Sequence, residues 1–156
     1  MPQAAHVRAI IQRVSQASVC VDGAMVSSIS SGLMILLGVS QGDTDEDAEW
    51  LCGKISAMRI FPDVDGKMNL NVCDVSGDLL VVSQFTLYAS TKKGNRPSFL
   101  GSAAPDVAEP LYLKFCQMLE SKTGRLIGRG IFGADMEVSL INDGPVTIFM
   151  DSRARE

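Results

Sequence analysis

Two hydrophobic rhythms run along the chain. Leu33-Met34-Ile35-Leu36-Leu37 and Leu79-Leu80-Val81-Val82 are continuous apolar runs of strand length, the pattern of strands buried on both faces. They predict strands at Leu33 to Val39 and Leu79 to Phe85. His6 to Arg13, Ala17 to Val21 and Ala24 to Ser28 also have strand character, with Asp22-Gly23 as the tight turn between the last two. Nearer the C-terminus Val138 and Leu140, then Val146, Ile148 and Met150, recur with period two. Strands are expected there at Met136 to Asn142 and Val146 to Met150, after another at Arg125 to Gly130.

The helical rhythm occurs twice. After Gly42-Asp43-Thr44, the residues Ala48, Leu51, Cys52, Ile55 and Met58 mark one apolar face, Asp43 or Thr44 can cap, and Asp45, Glu46 and Asp47 suit the positive helix end. Pro105 fits the first turn of a second helix reaching about Glu120, with Val107, Leu111, Phe115 and Met118 expected inward. The order β-β-β-β-α-β-α-β-β-β implies an α+β fold. It is a single domain, 1–156, of mostly antiparallel or mixed sheet covered by two helices, with 1–5 and 153–156 as loose tails.

Composition narrows the function. The chain has 156 residues, 46% of them hydrophobic, enough for a real core. No apolar run approaches the roughly 18 residues of a membrane span. The start, Met1-Pro2-Gln3-Ala4-Ala5, lacks a secretory pattern. Cys20, Cys52, Cys73 and Cys116 have no C-x-x-C spacing, which speaks against a zinc ribbon or redox dithiol and fits reduced thiols in the cytoplasm. His6 is the single histidine, so neither a zinc hydrolase site nor a Ser-His-Asp arrangement is expected. No dinucleotide or phosphate-loop motif is present, and Asp63-Val64-Asp65-Gly66 is a turn too short for a calcium loop. The expectation is therefore no metal and no cofactor.

A net charge of −4 disfavours long-range attraction of nucleic acid. Phosphate contacts must be local. The best stretch is Thr91-Lys92-Lys93-Gly94-Asn95-Arg96, with Lys92, Lys93 and Arg96 as candidate contacts and Arg125, Arg129, Arg153 and Arg155 as further ones.

Two segments carry candidate chemistry. Ser83-Gln84-Phe85-Thr86 gathers polar groups at a strand end, where backbone N–H groups at Phe85 or Thr86 can face a developing oxyanion. The plainer alternative is strand hydroxyls bonded to neighbouring backbone. Gly144-Pro145, within Asn142-Asp143-Gly144-Pro145-Val146-Thr147, presents carbonyls with no side chain over the glycine and no N–H at the proline. Such a surface can take a ligand ammonium group. Its plainer alternative is a hairpin turn.

These segments, with Arg8 to Val14, Gly42-Asp43-Thr44, Met68-Asn69-Leu70, Arg96-Pro97-Ser98-Phe99 and Phe132-Gly133-Ala134-Asp135-Met136, resemble the D-aminoacyl-tRNA deacylase family from about His6 to Ser152. The resemblance implies a homodimeric esterase that removes D-amino acids, and also glycine, wrongly attached to tRNA. It implies that the Ser83 to Thr86 segment holds the ester, with Phe85 or Thr86 N–H as oxyanion donor and Gln84 placing the terminal adenosine. Water attack assisted by the ribose hydroxyl is the preferred route, and Thr86 as nucleophile is the alternative. It further implies a cis Gly144-Pro145 step reaching into the partner's pocket, Arg13 orienting that step, and Phe132 and Met136 as pocket wall; the plainer alternatives are a strand-surface charge for Arg13 and an ordinary core role for Phe132 and Met136. Arg129, Ser90 and Asn95 depart from the family pattern, and the two loop changes, Ser90 and Asn95, bear on the tRNA grip. Two other readings stay open: a trans Gly-Pro relative acting on L-alanyl-tRNA, and a non-catalytic dimeric module that binds nucleic acid.

Overall fold

A computed structural model describes residues 6–155; the expectation of loose ends at 1–5 and at Glu156 lies outside them. The elements are β1 (Arg8–Val21), β2 (Ala24–Ile29), β3 (Gly32–Gly38), α1 (Asp45–Ala57), β4 (Phe61–Pro62), β5 (Met68–Leu70), β6 (Asp78–Ser83), α2 (Pro105–Thr123), β7 (Gly128–Arg129) and β8 (Glu137–Asp151). A 3-10 turn, Phe85–Tyr88, follows β6. The fold is a mixed α+β single domain.

β1 is the spine of the sheet. β8 runs antiparallel along one edge of it, while β3 pairs with its first half and β2 with its second. β6 lies parallel to β3, and β7 parallel to β6. The sheet then curls until β7 returns to β2: a Cβ on Gly128 would lie 2.6 Å from Ser27 Oγ. This near closure creates two cores. Leu33, Ile35 and Leu37 of β3 and Leu79 and Val81 of β6 face a large cluster covered by α1 and α2, whereas Met34, Leu80 and Val82 face a small cluster inside the curl. The two continuous apolar runs are the strands buried on both sides.

Both long strands cross from one core to the other. On β8, Val138 and Leu140 pack on the inner cluster, and Val146, Ile148 and Met150 on the helix-covered one. On β1, Ala9 and Ile11 serve the helix-covered core, and Val14, Ala17 and Val19 the inner one. The β1–β8 ladder breaks register at that crossing, between Gln12 and Val14 and again between Val14 and Gln16. Each strand is expected from sequence as two separate pieces, and each is one strand carrying a bulge. The Gly144-Pro145 segment is accordingly a bulge within β8, not a hairpin turn.

Other expectations shift locally. Phe85 belongs to the 3-10 turn, since β6 ends at Ser83. Val107 faces solvent because the buried stripe of α2 runs through Ala108, Leu111, Tyr112, Phe115, Cys116 and Leu119. The strand expected at Arg125 to Gly130 shortens to β7. Asp63 to Gly66 is a turn as expected, joining the β4–β5 ribbon, with Gly66 at positive φ. Arg153, in the segment expected to be loose, donates from Nε to Asp47 Oδ1 at 2.8 Å, and Arg155 lies over the Trp50 ring. No helix among the described residues is long and apolar enough to cross a membrane.

Thr44 is the N-cap of α1, its N–H donating to Asp47 Oδ2 at 3.0 Å. Asp43 instead accepts from Ser40 N at 2.6 Å and Ser40 Oγ at 3.0 Å. Burial is the largest influence on the Asp43 carboxyl and, with the nearby Asp47, outweighs the Ser40 bonds, raising its pKa to about 6. Between its ordinary value and 6 the folded chain then holds more protons than the unfolded one, so this group lowers stability as pH rises through that window. Asp43→Asn should remove that slope. Urea denaturation at pH 4.5 and 7.5 should show the variant gaining about 1–2 kcal/mol relative to the parent at the higher pH, a figure reduced for screening through the exposed edge of Asp43.

Candidate active site

The first half of the site grows from the end of β6. Gln84 N donates to Leu37 O at 2.8 Å, so the chain leaves the sheet beside the end of β3. Gln84 has left the strand conformation (φ −146°, ψ 82°), and the 3-10 turn follows. The first N–H groups of a helical turn have no carbonyl behind them. Among the described residues nothing accepts from Phe85 N or Thr86 N, whereas Leu87 N donates to Gln84 O and Ala89 N to Thr86 O. Two adjacent backbone donors thus stand free at the surface. Thr86 Oγ1 accepts a short hydrogen bond from Gln84 Nε2, and among the described residues no carboxylate, imidazole or amine bonds to this hydroxyl. A nucleophilic Thr86 would need such a base.

Phe85 is 57% exposed and meets Phe99 edge to face, with centroids 5.1 Å apart. Phe99 follows a loop closed at its neck by mutual Ser90–Ser98 backbone bonds of 2.8 Å. Lys92, Lys93 and Arg96 sit on that loop, exposed. The loop therefore joins the turn through an aromatic contact. Arg125 and Arg129 are instead paired with Asp78 and Glu120.

Phe132 and Met136 leave β7 in the loop toward β8. Phe132 packs near Tyr112 of α2 with centroids 6.0 Å apart, and Met136 packs on the inner cluster beside Gly130. Because β7 is parallel to β6, this loop departs from the same sheet end as Ser83 to Thr86. The two side chains themselves serve different cores.

The second half of the site is the β8 bulge. Asp143 to Val146 have no ladder partner on β1, and the bond Gly144–Pro145 is cis. Asn142 pinches the neck: its Oδ1 accepts from Val146 N at 2.9 Å, and its Nδ2 donates to Thr147 Oγ1 at 2.7 Å. Arg13 braces the bulge from β1. Its Nε donates to Asp143 O at 3.0 Å and its Nη1 to Ile60 O at 2.6 Å, with the side chain only 11% exposed. The family resemblance points to Arg13 and the Gly-Pro pair. It gives no hint of the Ile60 carbonyl or of the Asn142 pinch, although Asn142 opens the same six-residue motif.

Other chemistries find no support among the described residues. The His6 ring engages Asp151, with no serine, threonine or cysteine side chain bonded to it. Cys52 and Cys116 are buried, and burial pushes their thiols up to about 12 and about 11. No group of three His, Cys, Asp or Glu is placed to hold a metal ion.

The family model described as D-Tyr-tRNA(Tyr) deacylase matches residues 10–151. The chain belongs to that family. It is 59% identical over 149 residues to the D-aminoacyl-tRNA deacylase of Flavobacterium johnsoniae and 58% identical to that of Opitutus terrae, in both cases covering 96% of this chain and 99% of the relative. Among solved structures it resembles a c-Myc DNA unwinding element binding protein (TM-score 0.86, 41% identity, 92% of this chain and 97% of that one). A probable eukaryotic D-amino acid tRNA deacylase shares the fold (TM-score 0.81, 20% identity, 94% and 99%). The bulge and the 3-10 turn both fall within the matched family span.

Proposed function

We propose that the chain hydrolyses the ester of D-aminoacyl-tRNA, and of glycyl-tRNA, releasing the amino acid and free tRNA. The observation that carries this is the pair of free N–H groups at Phe85 and Thr86, in a member of this family. The ester carbonyl sits against them, and they stabilise the negative charge that develops as it becomes tetrahedral. Water adds to the carbonyl carbon, its proton passing through the neighbouring ribose hydroxyl to the ester oxygen, which departs as the ribose hydroxyl when the tetrahedral carbon collapses to the free acid. Ser83 and Gln84 line the approach, Gln84 placing the terminal adenosine. The loop that carries Phe132 and Met136 borders the pocket from the same sheet end, the two side chains turning to opposite faces of the sheet, and Lys92, Lys93 and Arg96 meet phosphates.

The carbonyls of Gly144 and Pro145 take the substrate's amino group from a second subunit of a homodimer. Distance supports this. The turn lies at the Arg8–Gly38 end of the sheet and the bulge lies opposite Arg13, five residues along β1 and three strand spacings across, a separation of roughly 20 Å. A gap of that size favours a bulge supplied by a second subunit. Among the described residues the outer edge of β8 is unpaired, with Ile141 and Phe149 more than half exposed, a surface suited to a second copy. Two clefts, of about 480 and 150 Å³, lie by Thr44 and Arg153 and by Trp50 and Phe149, away from Thr86.

Purified protein should release D-tyrosine from D-tyrosyl-tRNA and glycine from glycyl-tRNA while leaving L-tyrosyl-tRNA intact. Thr86→Ala, which keeps the backbone donors, should retain a substantial share of that activity. Equal cleavage of the L and D esters would overturn the proposed selectivity. An inert wild-type dimer that binds nucleic acid would favour the non-catalytic module.

A further inference from the structure

The free donors at Phe85 and Thr86 are useful only if the turn that presents them is fixed, and the fixing groups come from distant parts of the chain. The turn crosses the end of β3 over Gly38. A Cβ there would lie 2.8 Å from Tyr88 Cε2, 3.1 Å from Gln84 O and 3.3 Å from Leu87 Cβ, so the turn rests on bare backbone. The single Tyr88 O–H lies 2.6 Å from His6 O and 2.8 Å from Gly38 O, and its oxygen accepts from Arg8 N at 3.2 Å. Arg8 Nη1 donates to Leu87 O at 2.9 Å, a carbonyl within the turn itself. The guanidinium also lies 5.1 Å from the centre of the Tyr88 ring. Asp151, the last residue of β8, holds Arg8 in turn, its Oδ2 being 3.3 Å from Arg8 Nε and in contact with His6 Nδ1. β8 is the strand that carries the Gly144-Pro145 bulge.

We infer that Arg8 and Tyr88, with Asp151 anchoring Arg8, are positioning residues that aim the Phe85 and Thr86 N–H groups at the ester carbonyl. This rests on the deacylase reading of the same turn. None of the three side chains needs to touch the substrate. Tyr88 is only 6% exposed, and its hydroxyl and the Arg8 guanidinium are both committed to backbone carbonyls. Burial, the largest influence on the Tyr88 phenol, raises its pKa and keeps the hydroxyl protonated as a donor. The consequence is specific to the chemical step. Oxyanion donors act on charge that exists only in the transition state, so a turn that drifts loses kcat while ground-state binding of the tRNA persists.

The test compares Tyr88→Phe, Arg8→Ala and Arg8→Lys with wild type on D-tyrosyl-tRNA, separating kcat from KM and measuring thermal midpoints. Outright loss of one oxyanion donor costs about 10²–10³-fold in kcat, and a displaced donor should cost less, about tenfold. Tyr88→Phe and Arg8→Ala should therefore lower kcat about tenfold with KM nearly unchanged. Arg8→Lys, which can still reach one carbonyl, should recover part of it. Tyr112→Phe is the control for stability, since it removes a comparable buried hydroxyl, bonded to Val81 O at 2.7 Å, from the helix side of the sheet. That variant should lose thermal stability and keep kcat. If wild type is active and both Tyr88→Phe and Arg8→Ala keep its kcat, or lose it only as far as Tyr112→Phe does for the same fall in midpoint, the inference is wrong and the deacylase reading survives. A wild type inert on the D-ester overturns both.

Discussion

Gly144→Ala should nearly abolish deacylation, lowering kcat/KM by about 10²-fold or more, the loss that follows when a positioning group moves by about 1 Å. Two independent constraints meet at this residue. Its φ is +136°, a conformation that residues with a Cβ rarely adopt. A Cβ would also lie 2.8 Å from Val146 Cγ2 and 3.1 Å from both Arg13 Nη2 and Val146 N. The neighbours cannot yield freely, because Val146 N is fixed by Asn142 and Arg13 is fixed by Ile60 O. The bulge must move, and the carbonyls proposed to hold the substrate's amino group move with it. Single-turnover hydrolysis of D-tyrosyl-tRNA is the measurement. Wild-type rates in a folded variant would show that the bulge takes no part.

This site is partly legible in the sequence. β3 and β6 can be placed because a strand buried on both faces leaves an uninterrupted apolar run, and the segment after β6 stands out because polarity returns abruptly at Ser83. Gly144-Pro145 stands out for the same reason, as a break in a period-two pattern. What cannot be read is that the strand continues through the break. The alternation set by Val138 and Leu140 lapses from Asn142 to Pro145, and only pairing with β1 shows that Glu137 to Asp151 is one strand. The long-range fixings are equally hidden. Arg8 and Tyr88 are separated by 80 positions, and neither forms a motif with the other. Val107 is misplaced because a stripe at helical spacing can be shifted by one residue without changing its apparent period. The loose-tail expectation fails at Arg153 because its partner, Asp47, reads in sequence only as part of the helix start.

Arg13→Ala should be the second severe variant, and it separates bracing from steric fit. The substitution leaves the carbonyls of Asp143 and Ile60 without their guanidinium donor in a region where the Arg13 side chain is only 11% exposed. The exposed Asp143 carbonyl can turn to water, whereas the partly buried Ile60 carbonyl is left short of a donor, so a loss of about 1–2 kcal/mol in urea denaturation is expected. Activity should fall by about tenfold to 10²-fold, since the bulge keeps the Asn142 pinch but loses its brace from β1. Arg13→Lys should restore little, because one ammonium group cannot span two carbonyls as the fork does. Arg13 and Gly144 act on the same bulge, so their effects should not add. Once the brace is gone the added methyl has one fewer neighbour to meet, and Gly144→Ala made in the Arg13→Ala background should cost less than in wild type. Full additivity of the two losses in kcat/KM would mean that Arg13 works elsewhere, on the β4 side through Ile60 alone.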